Sequence, residues 1–144
     1  MSEESGEMYR LGKVLVPIFN IKYSEDVDSD TGSRKIIHRL ESEVDDESLT
    51  KCFSKYNVKL RRRENLKKEE LEEQLKAIKK EVEAYEGMIA IFMADGSQKN
   101  NEDPYLWCFD DEKVYEKDIY TMFDNHKCEG MCGKPGVFVF IRYL

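Results

Sequence analysis

His126, Cys128 and Cys132 form a His-x-Cys-x-x-x-Cys cluster, the densest group of soft ligands in the chain. Zinc favours thiolate and imidazole, but a structural site needs four ligands and usually a tighter cysteine pairing, and the one other histidine is His38. The spacing therefore predicts no metal centre, and no cofactor-binding motif is read elsewhere. Cysteine catalysis requires a thiolate with an imidazole to carry its proton. None of Cys108, Cys128 and Cys132 follows a strand end with a histidine in a suitable place. Asp95 with Glu102 or Asp103 is the candidate carboxylate pair for hydrolysis, against which stands the ordinary fate of acidic loop residues, solvation.

Hydrophobic periodicity supplies the elements that must position these groups. Val14 to Ile21, Gly87 to Ala94 and Val137 to Tyr143 are nearly continuous apolar runs, as expected of strands buried on both faces of a parallel sheet. Between them Leu49, Cys52, Phe53 and Tyr56 recur at helical spacing. Leu71, Leu75, Ile78 and Val82 do the same in a Glu/Lys-rich helix with Asn65 as its expected N-cap. Val58 and Leu60 alternate with polar residues, which predicts a strand nearer the edge. Leu106 to Phe109 and Val114-Tyr115 flank Asp110-Asp111 as a small hairpin, and a short helix with Ile119, Met122 and Phe123 on one face follows. The fold class predicted is α/β: a three-layer domain with a mostly parallel sheet of about four main strands, helices on both faces and a small hairpin. Residues 22–38, with Asp26, Asp28, Ser29, Asp30, Thr31, Gly32 and Ser33 at their centre, are expected to form a mobile loop, residues 1–12 a flexible segment, and 13–144 a single domain.

Composition narrows the function classes. A chain of 144 residues with 40% apolar and 11% aromatic content carries enough material for one core. Its formal charge of −7 argues against a nucleic-acid partner, and Arg61-Arg62-Arg63, the one basic cluster, reads as a solvated strand end. No stretch approaches the ~20 apolar residues that cross a bilayer, and the acidic start, Met1 to Glu7, is unlike a secretory signal. A cytoplasmic location with reduced cysteines is expected.

Four places in order resemble the caspase family. Lys13 to Asn20 looks like its first strand. Arg39-Leu40-Glu41-Ser42-Glu43-Val44-Asp45 resembles the turn Arg-x-Gly-[Thr/Ser]-x-x-Asp, with Glu41 for the glycine. Asn65-Leu66-Lys67-Lys68-Glu69-Glu70 is similar to the helix start Asn-Leu-Thr-x-Glu-Glu. Cys128 to Pro135 resembles Cys-x-x-Leu-x-Gly-Lys-Pro, followed by a strand like the one that carries the nucleophile. The resemblance covers the large-subunit portion only and implies a caspase-like fold. It also places two substitutions. The signature Gln-Ala-Cys-[Arg/Gln/Gly]-Gly is matched by Ile141-Arg142-Tyr143-Leu144, so Tyr143 stands for the cysteine. Ala94-Asp95-Gly96 stands where Ser-His-Gly is read, so Asp95 stands for the catalytic histidine. A phenol with a pKa near ~10 is no thiolate at neutral pH, and a carboxylate cannot protonate a leaving amine. The chain is therefore expected not to be an enzyme.

What the resemblance implies about partners follows from the same residues. Arg39 matches the arginine that grips a substrate aspartate, as a vestige that Glu41 could neutralise. With no small subunit expected, the strand of Val137, Phe138, Val139, Phe140, Ile141, Arg142 and Tyr143 becomes a sheet edge open to a partner. The expected function is that of a non-catalytic caspase-like regulator of apoptosis, a decoy that binds caspases or death-pathway adaptors and inhibits cell death, encoded by a cell or a virus. Alternatives are an activating pseudo-subunit for a caspase, a large subunit assembled in trans with a separate small-subunit protein, and an acidic interaction module unrelated to cell death. Homodimerisation through the edge strand is a further expectation.

Overall fold

The computed structural model describes residues 13–21, 23–27, 34–38, 40–97, 103–124 and 129–143, with side chains over 13–21, 45–96, 103–124 and 130–142. Strand β1 (Val14–Asn20) is buried along its whole length, as its unbroken apolar run requires. It lies between β4 (Val58–Glu64) and β5 (Gly87–Ser97), parallel to both, and β5 pairs in parallel with β8 (Gly136–Tyr143). The end of β5 also takes up the antiparallel pair β6 (Tyr105–Trp107) and β7 (Lys113–Tyr115). The result is a six-stranded mixed sheet whose four main strands are parallel and whose hairpin is antiparallel.

Alternation along β1 and β5 divides the core in two. Leu15, Phe19, Met88, Ala90 and Phe92 face one way, with Leu71, Leu75 and Ile78 of helix α2 (Lys68–Glu81) and Ile119 of α3 (Glu116–Thr121). Val14, Val16, Ile18, Ile91 and Met93 face the other, where Leu49 and Phe53 of α1 (Leu40–Phe53) pack. Three rings in register, Phe19, Phe92 and Phe140, stack across β1, β5 and β8 with centroids 5.1 Å apart at each step. Rings so placed add to the area they bury.

Several expectations change. Residues 22–38 are not one loop: β2 (Tyr23–Val27) and β3 (Arg34–His38) form an antiparallel ladder from Tyr23–His38 to Val27–Arg34. Strand-forming Tyr23, Val27, Ile36 and Ile37 flank the polar centre, which is hairpin patterning. Residues Leu40 to Asp45, expected in a turn, begin α1 instead. Glutamate at position 41 favours helix where glycine would free the backbone. Asn65 is not the N-cap of α2: its φ of 54° makes it a left-handed corner, and its N–H donates to the Asn20 carbonyl at 2.9 Å. The helix starts two residues later, where the Lys67 N–H donates to the Glu70 carboxylate at 3.0 Å. Tyr56 lies beyond α1 and is 65% exposed. The third apolar run, β8, is not buried on both faces, since Val137 is 52% and Val139 36% exposed. Expected flexibility of residues 1–12 lies outside the described residues.

The Gly133-Lys134-Pro135 stretch has a local cause. Gly133 turns the chain at φ 75°. Lys134 then caps α2's extension, its Nζ donating at 3.1 Å to both the Val82 and Glu83 carbonyls. Pro135 offers its carbonyl to the Met88 N–H at 3.1 Å, which sets β8 against β5.

Candidate functional site

Parallel pairing brings together the two positions that the resemblance singled out. Asp95 and Tyr143 are register partners on β5 and β8, at the carboxyl end of the sheet where α/β proteins hold their ligands. Asp95 is half-buried; Tyr143 is placed by its backbone, and its side chain lies outside the described residues. One step earlier Ala94 pairs with Arg142. Gly96 follows, and there a Cβ would collide with the Tyr105 carbonyl and come within 2.9 Å of Arg142 Cγ. The close approach of β6 and of the Arg142 stem thus leaves room for glycine alone.

Arg142, half-buried near the end of β8, has a partner. Its Nε lies 3.3 Å from Glu116 Oε2 at the start of α3. Glu116 is 8% exposed, and burial pushes its carboxyl above the usual range while Arg142 pulls it back. The pair ties the end of β8 to the helix behind the hairpin. Sequence reasoning took Arg142 only as part of an edge strand and missed Glu116. The available signal was a single cation directly after the apolar run Val137-Phe138-Val139-Phe140-Ile141, still within the strand, which has to find a partner.

A second buried polar group lies at the carboxyl ends of β1 and β4. Asp46 of α1, 2% exposed, accepts from Arg62 Nε at 3.0 Å and Nη2 at 2.6 Å. Asn20 Nδ2 and Thr50 Oγ1 donate to the same carboxylate at 3.2 and 3.4 Å. This bidentate, charge-assisted contact raises the Arg62 pKa and fixes α1 on the sheet. It too was missed, although Asp46 shares a helical face with Leu49 and Phe53, an apolar face on which an acid calls for a cation. The triple arginine is more than a solvated strand end: Arg61 pairs with Glu81 at 2.7 Å and Arg63 donates to Gln74 at 3.2 Å.

The remaining candidates separate. Asp103 is exposed and ion-paired with Lys117 at 2.7 Å; Glu102, and with it the proposed carboxylate pair, lies outside the described residues. Cys108 is buried, and desolvation, aided by the nearby Asp110 charge, pushes its thiol up to about 12, which makes it a core residue rather than a nucleophile. Cys52 and Cys132 are exposed thiols, and no metal-binding group of side chains occurs among the described residues. His126, Cys128 and Arg39 lie outside the described residues. No described helix is long and apolar enough to cross a membrane.

Comparison with known proteins places this architecture. No curated protein sequence matches the chain. Among solved structures it is similar to the Drosophila initiator caspase Dronc, with a TM-score of 0.72 at 20% identity, over 94% of this chain. The chain spans about half of that caspase, 54% of its length. A family profile described as caspase domain matches residues 16–141, and the chain belongs to the caspase family.

Proposed function

We propose that the protein is a non-catalytic, caspase-related regulator of apoptosis, a decoy that binds a caspase or its activators and lowers peptidase activity. The observation that carries this reading is the register pair Asp95–Tyr143: the residues that the resemblance sets at the family's histidine and cysteine are neighbours on β5 and β8, and they are an aspartate and a tyrosine. Neither group supplies a thiolate or an imidazole at neutral pH. Loss of such groups costs a protease several orders of magnitude in rate.

Binding needs a surface, and β8 supplies it. Among the described residues it pairs with β5 alone, and its other edge presents backbone donors and acceptors beside the exposed Val137 and Val139. Such an edge accepts an added strand, with main-chain hydrogen bonds giving affinity and alternate side chains giving selectivity. The partner is a caspase or a death-pathway adaptor in the cytoplasm, with a second copy of this chain as competitor for the same edge.

The test is expression in cells given an apoptotic stimulus, with caspase peptidase activity and the caspases retained on the tagged chain measured together. Lowered activity with a retained caspase is the expected result. Raised activity with a retained caspase assigns the activating pseudo-subunit instead. Unchanged activity with nothing retained contradicts a role in apoptosis.

A further inference from the structure

A cleft of about 180 Å³ opens between α2, β7 and α3, on the face of the sheet opposite α1. Leu71 and Leu75 of α2, Val114 of β7, and Ile119 and Met122 from α3 and its end line it with apolar surface. Along one rim runs a row on α2: Lys68, Glu72 and Lys76, with Asp118 also at the edge. Residues four apart stack on one side of a helix, so the row alternates cation, anion, cation over roughly 12 Å. Lys113 also borders the cleft, but its Nζ lies 4.6 Å from the Tyr105 ring centre and 5.4 Å from that of Trp107, and these rings engage its charge.

Volume and charge pattern together select the occupant. At 180 Å³ the space falls below the roughly 300–1,000 Å³ of small-molecule sites; it suits one or two apolar side chains. A linear row of alternating charge beside an apolar trough is complementary to a helix whose apolar stripe is flanked by acidic residues at its ends and a basic residue between them. We propose that this cleft docks an amphipathic helix of a partner protein, about two turns in contact, with carboxylates facing Lys68 and Lys76 and a cation facing Glu72. The site uses no residue of β8 and stands independently of the decoy reading.

Fluorescence anisotropy of the full chain with two labelled amphipathic peptides tests it. One carries leucines at helical spacing with glutamates at the flanking positions; the other has lysines in place of those glutamates. Saturable binding of the glutamate peptide, at least about fivefold tighter than the lysine peptide and weakening with added salt, is expected, since exposed ion pairs are individually weak and screened. Lys68→Glu with Lys76→Glu reverses the preference, and Met122→Glu, which puts a charge in the trough, abolishes binding of both; thermal melts confirm that the variants fold. Equal affinity for the two peptides, a preference unmoved by the double substitution, or no saturation overturns the proposal. So does a large gain in affinity on removing residues 1–12, because the occupant is then the chain's own beginning.

Discussion

Along β4 the outer edge of the sheet carries Lys59, Arg61, Arg62, Arg63 and Glu64, and the three arginines reach back to Glu81, Asp46 and Gln74. Along β8 the opposite edge runs Val137 to Ile141 without a charge, with Val137 and Val139 exposed. Charged edges repel a further strand and apolar ones invite it. The β4 edge is built as a terminus that latches onto its own helices. The β8 edge has the composition of a strand open to pairing, and the proposed reading sets Tyr143 of β8 at the place of the family's nucleophile.

The largest effect breaks both edges at once. Phe92→Ala removes the ring stacked between Phe19 and Phe140 and should cost about 3–5 kcal/mol in urea denaturation, the range for a fully buried aromatic. Asp46→Ala should loosen the β4 side alone. Breaking a fully buried pair costs about 3–5 kcal/mol, but the Arg62 guanidinium is half-exposed and water can replace its partner, so about 2 kcal/mol is expected by the same measurement. Val139→Lys gives β8 the kind of charge β4 already has. Stability should stay within about 0.5 kcal/mol while retention of the partner falls at least about tenfold in a pull-down.

The smallest effect is Glu116→Gln. Burial raises the Glu116 carboxyl, so the fold favours its protonated form. Stability from this group is fully present below its unfolded value and is lost as pH rises through the higher folded value. The glutamine variant should therefore lose less melting temperature than the wild type between acidic and neutral pH. An identical pH slope in both would remove the group from the account.

Much of the main sheet was legible because buried parallel strands announce themselves: β1 and β5 are unbroken apolar runs, and α2 repeats Leu71, Leu75 and Ile78 at helical spacing. The β2–β3 pair was not, since its acidic and Ser/Gly centre outweighed short strand-forming flanks. The helical start of α1 was hidden by a turn-like motif whose glycine is absent. Asp95 and Tyr143 could be named from their places in the resemblance, and parallel register supplied their adjacency. Asp46–Arg62 and Glu116–Arg142 join residues far apart in the chain, and pattern alone gives no distance between them.

The proposed role is to bind a caspase through β8 without catalysing anything. Purified protein with a fluorogenic aspartate-directed peptide, alone and titrated into an active caspase, tests it most directly. No turnover by the chain alone is expected, with dose-dependent inhibition of the caspase that Val139→Lys relieves. Turnover by the chain itself, or inhibition indifferent to Val139→Lys, would contradict it.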